Sequence, residues 1–295
     1  PRGRVFIDGQ EQPGLIDLTV TRNNYFVADT FDGAFSLFVD PTFGAEWWLS
    51  KTKADIVIEM GNQREDGSTV WREVLTGVVD NIRCELDRGV VTIQGRDLTA
   101  RFIDNKVNQT FKNRTAAEIV TQIGTGRGLT ADVPATSKQS GTKYQNAHTS
   151  PHLEQAQNST EWDFIVHLAR CEGFDAWVDG ETLHFKPPGE HADPYLVKWS
   201  PPVGTSNHSI ASQSNVSRLT VSHNLALAKD IRVIVKSYHS GLGKGFKAEV
   251  GKAKPKGKDA GDVQEHVFVV PNLTEAECRE RAAQLLDEMT KHEYI

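Results

Sequence analysis

The chain is 295 residues long, 38% hydrophobic, and carries a formal net charge of −6. That length calls for two or three domains, and the hydrophobic fraction is enough for packed cores. The acidic balance argues against a nucleic-acid-binding surface as the main business, and no uncharged apolar run is long enough to suggest a spanning helix.

Cys84, Cys171 and Cys278 are odd in number and far apart, so they read as reduced thiols of a protein made in a cytosol. The start, PRGRVFIDG, has no apolar stretch of the signal-peptide kind, and Pro1 implies that the initiator Met was removed or that the true start lies upstream.

From Arg4 to Gly95 the text reads as strands. VFI, LIDLTVTR, AFSLFV, ADIVIEM, VLTGVV, RCEL and VVTIQG are short β-type runs separated by Gly, Asp, Asn and Pro. Val74–Val79, Ile82–Leu86 and Val90–Gly95 read as a long strand, a turn at Asp87-Arg88-Gly89 and a return strand. Strands without intervening helices predict an antiparallel barrel or sandwich. Phe43, Trp47 and Trp48 crowd one segment, PTFGAEWWLSK. As a strand it would point the two Trp side chains opposite ways and expose one at an interface; as a short helix it would half-bury both. Both readings stay open.

Between Asn105 and Lys186 helices enter. Thr115 and Glu118 make a capping box ahead of Ala116, Ile119, Val120 and Ile123, with Gly126 and Gly128 at the helix end. Asp132 to Ser150 is polar and reads as a loop with at most one short strand. Thr160 and Asp163 cap a second helix whose apolar face is Trp162, Ile165, Leu168 and Ala169. Gly173 stops it in the left-handed conformation that only glycine takes without strain. Phe174, Ala176 and Val178 then alternate as one strand, and Leu183 and Phe185 as the next, with Asp179-Gly180 the signal for a type I′ turn.

Pro187-Pro188 and Pro201-Pro202 bracket an irregular connection. Strands resume over Ser217–Ser237 and His266–Val270. Between them GLGKGFKAEVGKAKPKGKDAG reads as a mobile loop. A closing helix opens at Asn272 or Thr274 and carries a stripe of Ala282, Leu285, Leu286 and Met289. The final EYI looks like the start of another strand, so the last third reads as incomplete at its C-terminus. There is no exact internal repeat.

Three stretches carry a family resemblance. They are TEWDFIVHLARCEGFDAWVDGETLHF from Thr160 to Phe185, GRDLTARFID with NRTAAEIVTQIGTGRGL from Gly95 to Leu129, and LTVSHN with DIRVIVKSY from Leu219 to Tyr238. They resemble the phage late control protein D and gp27-like baseplate hub family, which includes the N-terminal part of type VI secretion spike proteins. The resemblance implies an α+β, mostly antiparallel β architecture, with two tail-tube-like β-barrels flanking a small α+β insert. The divisions are residues 1–98, 99–190 and 191–295. It further implies a homotrimer of pseudo-sixfold shape in the virion baseplate, assembled in the host cytoplasm. Its partners would be the tail tube protein, a central spike or tail-tip protein and a tape measure protein, with DNA only in transit.

Against that stand candidate chemistries. His167 and Cys171 are one helical turn apart, but no further His or Cys lies nearby in a ligand pattern, and a nucleophile's base normally sits on another element. Glu161, Asp163, Glu172 and Asp175 match a helix cap and a helix end better than a glycosidase pair. Glu59, Glu65 and Asp66 surround a hairpin turn. The Gly124/Gly126/Gly128 and Gly241/Gly243/Gly245 patterns lack the strand-before, helix-after context of a phosphate cradle. Lys244, Lys247, Lys252, Lys254, Lys256 and Lys258 form the one basic stretch, which reads as a solvated loop; Lys244, Phe246 and Lys247, with Trp47 and Trp48, are the candidate interface residues. The sequence thus predicts a non-enzymatic structural protein with no catalytic, metal or cofactor site. The competing reading is a peptidoglycan-degrading or cell-wall-binding tail-tip protein.

Overall fold

In the computed structural model the alternating runs at the front of the chain pair into one antiparallel sheet of seven strands. The structure describes residues 2–23, 26–64, 66–107, 111, 114–137, 159–189, 196–205, 208–210, 213–216, 218–222, 231–251, 264–271 and 273–290. Two compact units divide between Pro188 and Gly189.

The sheet of the first unit contains β1 (Arg2–Ile7), β2 (Gln10–Glu11), β3 (Leu15–Thr21), β4 (Thr30–Ser36), β5 (Asp55–Gln63), β6 (Thr69–Glu85) and β7 (Val90–Asp97), in the order β2-β1-β5-β6-β7-β4-β3. Period-two alternation sends Val5, Ile7, Phe31, Phe35, Ile56, Ile58, Leu75, Val91 and Ile93 to one face, where they form a single core. Register shifts interrupt the ladders at Leu15/Asp17, Ile58/Glu59 and Val79/Asn81. Each such bulge bends its strand and raises the local twist. Where β6 and β7 cross, Gly77 and Gly95 are required: a Cβ on Gly77 would collide with the Arg96 carbonyl oxygen, and one on Gly95 with that of Val78.

The sheet curls without closing. Among the described residues no ladder joins β3 to β1 or β2. β1 nonetheless comes close to β3: a Cβ on Gly3 would sit 3.2 Å from Cδ2 of both Leu15 and Leu18. The expected closed barrel is therefore an open, bulge-bent sheet.

The segment with the paired tryptophans is helical, not extended. Asp40 Oδ1 accepts from Thr42 N–H at 2.8 Å, starting a 3₁₀ turn at Pro41–Phe43 that runs into α1 (Ala45–Leu49). Trp48 is 2% exposed and joins the sheet core, with its ring centroid 5.5 Å from that of Phe35.

A second core follows in the same unit. A short helix α2 (Ala100–Ile103), α3 (Ala116–Gly126) and α4 (Glu161–Glu172) pack over a small sheet. That sheet holds β8 (Thr130–Asp132), β9 (Asp175–Asp179) and β10 (Thr182–Lys186), in the order β8-β10-β9. Thr115 with Glu118 caps α3, and Thr160 with Asp163 caps α4, each as a reciprocal box. Gly173 closes α4 with φ 72. The apolar faces Ile119, Val120 and Ile123 on α3 and Trp162, Ile165, Leu168 and Ala169 on α4 meet Ala176, Val178, Leu183 and Phe185.

The β9–β10 turn differs from the sequence expectation by one residue. Asp179 pairs with Thr182, so the two central residues are Gly180 and Glu181. Only Gly180 of these has positive φ, 54, because Asp8 and Phe26 are the non-glycine residues described with positive φ. Glycine at the first central position alone is the demand of a type II′ turn, not type I′. The type I′ pattern lies at Asp8-Gly9 between β1 and β2, with φ 50 and 79.

The described residues of the second unit form short strand pairs, a three-stranded sheet and a helix. β11 (Trp199–Ser200) pairs with β14 (Gln213–Ser214), and β12 (Val203–Thr205) with β13 (His208–Ile210). Then come β15 (Ile231–His239), β16 (Lys244–Gly251), β17 (Gln264–Val269) and the helix α5 (Glu275–Thr290). β15 is central, antiparallel to β16 but parallel to β17, so the three-stranded sheet is mixed. Ile231, Val233 and Val235 pack under Cys278, Ala282 and Leu285 of α5. Thr274 caps α5: its N–H donates to Glu277 Oε2 at 2.8 Å, and Glu277 N–H donates to Thr274 Oγ1 at 3.4 Å.

Two sequence readings change here. Residues 219–222 of the LTVSHN run are not in a strand, and its last two lie outside the described residues. The lysine-rich stretch expected to be loop is strand β16 over Lys244–Gly251, because Phe246, Ala248 and Val250 alternate toward α5. Residues 252–263, with Lys252, Lys254, Lys256 and Lys258, and the final EYI lie outside the described residues.

Candidate functional site

The residues that sequence singled out for chemistry have structural partners. His167 Nε2 lies 3.7 Å from Cys171 Sγ on one face of α4. Glu161 and Asp163 stand in the first turn of that helix, where carboxylates complement the helix dipole. Asp163 completes the cap. Glu161 takes two hydrogen bonds from Arg127, Nε to Oε2 and Nη2 to Oε1, both 2.7 Å. Arg127 ends α3, so the pair ties the C-terminus of one helix to the N-terminus of the next. The Glu161 carboxylate holds the Arg127 guanidinium above its ordinary value, with desolvation working the other way. Beside this pair a half-open cleft of about 190 Å³ is lined by Val107, Phe111, Ile123 and Gly126.

Asp66 and Glu59 serve hairpins. Asp66 accepts from Ser68 N–H at 2.8 Å and from its hydroxyl at 2.6 Å, which lowers the Asp66 pKa. Glu59 pairs with Arg4. Glu65 lies outside the described residues. Among the described residues, no three His, Cys, Asp or Glu side chains come together as a metal site. No described helix is long and apolar enough to cross a membrane.

Of the candidate interface residues, Trp48 is taken up by the core, which leaves Trp47 as the partly exposed member of the pair. Trp47 stacks edge-on against Phe43, and Lys51 Nζ sits 4.1 Å from its ring centroid. Lys244, Phe246 and Lys247 share β16. Phe246 packs on the second unit's core, Lys244 Nζ lies 5.5 Å from its ring, and Lys247 pairs with Glu249 at 3.6 Å.

Sequence reasoning missed an apolar tip at one end of the first sheet. Phe38 is 77% exposed, and Ile16, Val39 and Leu86 are exposed with it. Leu37 N–H bonds to Gly89 O at 2.8 Å, and Ser36 N–H to Gly14 O at 2.8 Å, so three turns are tied together there. The signal was present as the unpaired apolar residues of SLFVDP, which strand alternation alone does not account for.

The geometry as a whole is that of a β-rich scaffold with a helical insert and polar groups spent on caps, turns and joints. Solved structures of other proteins share the fold of the chain. A tail protein from Neisseria meningitidis MC58 superposes with a TM-score of 0.61 at 17% identity, covering 99% of this chain and 78% of that one. The 43 kDa tail protein of prophage MuSo2 from Shewanella oneidensis gives 0.61 at 18% identity, over 99% and 78%. Prophage tail protein gp18 from Listeria monocytogenes EGD-e gives 0.56 at 11% identity, over 96% and 77%. In sequence, the family described as the Alg8 N-terminal domain matches residues 53–222, more than half of the chain, and the chain belongs to that family. No curated protein matches the chain significantly.

Proposed function

We propose that this chain is a structural, non-enzymatic component of a phage tail or a related injection particle. The observation that carries the reading is the shared fold. Tail proteins from three bacterial sources follow the chain along nearly all of its length. The disposition of polar groups supports it, because the carboxylates and the His–Cys pair examined for catalysis sit at helix ends and on a packed helix.

More closely, the sequence resemblance assigns it to the baseplate hub. Three copies would form a ring in the virion, with a hexameric tail tube protein on one side and a central spike or tail-tip protein on the other. A tape measure protein is a further partner, and DNA passes only in transit. A neutral to acidic lumen suits that task, since tight phosphate binding would impede passage. The net charge of −6 is compatible with it.

The test is imaging of the assembled particle with the chain labelled. Three copies per ring on the tail axis support the hub. Six copies per ring, or a position off the axis, would refute it. Light scattering on the isolated chain asks separately whether trimers form without the tube or spike.

A further inference from the structure

The cleft beside Arg127 and Glu161 has a frame of backbone bonds. Val107 N–H donates to Ser159 O at 3.1 Å and Glu161 N–H to Asn105 O at 2.8 Å, so residues 105–107 are clipped to the start of α4. The ring of Phe111 stacks on Phe164 of α4 with centroids 5.9 Å apart. Arg127 is fixed at the end of α3. Its N–H reaches Ile123 O at 3.2 Å, and its carbonyl accepts from Arg101 Nη1 at 3.3 Å. A site framed in this way exists before anything enters it, which lowers the cost of binding.

Val107, Phe111 and Ile123 are buried and supply the apolar wall. The charged wall is one ion pair. Glu161 takes Nε and Nη2 of Arg127, and among the described residues Nη1 donates to nothing. Each Glu161 oxygen accepts one N–H from Arg127, and a carboxylate oxygen has room for a second. Donors and acceptors therefore stand side by side with no net charge. Glu161 repels an anion and Arg127 repels a cation. A group that both accepts and donates meets the pair without that penalty. A primary amide is such a group, since its oxygen accepts from a guanidinium and its NH₂ donates to a carboxylate.

Size sets the rest of the ligand. An apolar cavity of about 150 Å³ takes up benzene. At about 190 Å³ the cleft has room for a six-membered ring and one small substituent. Gly126 keeps it open, because a Cβ there would meet nothing within 4 Å.

We propose that this cleft binds a small uncharged amide carried on a ring-sized apolar body, with the amide on Arg127 and Glu161 and the ring against Val107, Phe111 and Ile123. Two sources carry that chemistry: a free aromatic amide, and a peptide whose aromatic residue bears the amide. The site does not depend on the tail assignment.

The test is methyl NMR on the full chain, following Val107 and Ile123 as benzamide, toluene or benzoate is added. Benzamide should shift both signals saturably and bind about tenfold more tightly than toluene, the gain expected from one or two hydrogen bonds. Benzoate should bind no better than toluene. N-acetyl-phenylalaninamide separates the sources: binding tighter than that of benzamide assigns the peptide, and weaker binding assigns the free amide. Gly126→Leu puts a side chain into the opening and should abolish the benzamide shifts while leaving thermal unfolding unchanged. Arg127→Met should bring benzamide down to the level of toluene, and it serves alone if Gly126→Leu fails to fold. The proposal is overturned by benzamide that gives no saturable shift or binds no better than toluene. Benzamide binding that is unchanged in either folded variant overturns it as well.

Discussion

Breaking the Arg127–Glu161 pair should loosen the packing of α3 against α4. The carboxylate side chain is 10% exposed and the guanidinium 32%. Removing one partner of a fully buried pair costs about 3–5 kcal/mol. Because Arg127 is about one-third exposed, solvent screening reduces that to about 1–3 kcal/mol for Glu161→Gln. The pair also places a cation at one helix C-terminus and an anion at another's N-terminus, each worth about 0.3–1 kcal/mol. A double-mutant cycle of Glu161→Gln with Arg127→Met should give a coupling of about 1–2 kcal/mol. Since the chain has two compact units, the assay must be local. Native-state hydrogen exchange of the α3 and α4 amides in increasing urea meets that need. A coupling of about 0.3 kcal/mol or less, the level of an exposed helix pair, would refute the argument that this contact joins the two helices.

Other outcomes are as concrete. Gly173→Ala should cost about 1 kcal/mol, because φ is 72 at that position; a melt unchanged from the parent would exclude the left-handed cap. Trp48→Ala should cost about 3–5 kcal/mol and Trp47→Ala clearly less, measured by chemical unfolding; equal losses would contradict their different burial. Asp8 gives the sheet unit a pH dependence in acid. Lys51 chiefly lowers its pKa, so its contribution is present above 3.8 and lost in acid; Lys51→Met should weaken the loss of stability seen below that pH.

What was legible in the sequence was local. The two capping boxes and the Gly173 stop each lie within a few residues and depend on hydrogen bonds the chain makes with itself. The β6–β7 hairpin was legible for the same reason, its partners Glu85 and Val90 being close in sequence. The II′ turn was misread by one residue because Asp179-Gly180 has the right letters, while the pairing of Asp179 with Thr182 is decided by the core faces of both strands. The same kind of long-range choice hid the parallel β15–β17 pair and the Arg127–Glu161 bond, whose members are 34 residues apart; for the tryptophan segment the sequence left strand and helix open, and the structure has the helix.

The open sheet raises a last physical point. A closed barrel would satisfy the outer hydrogen-bonding edges of β2 and β3 with each other. Here it is β1 that approaches β3, through Gly3, Leu15 and Leu18, and among the described residues no ladder joins them. Unpaired edges invite pairing with another chain unless bulges or charges prevent it. β3 carries both a bulge, at Leu15/Asp17, and an outward acid, Asp17, which discourage a strand from adding there. Contact with partners is then better made by ends of strands than by their edges. The exposed tip of Phe38, Val39 and Leu86 lies at such an end, on turns held by backbone bonds to Gly89 and Gly14. A rigid apolar tip loses little conformational entropy on docking. On the proposed tail role, Phe38→Asp should therefore leave the unit's own stability nearly unchanged while weakening incorporation into particles, scored as label per purified tail. Normal incorporation of a folded Phe38→Asp chain would mean that this end faces solvent in the assembly.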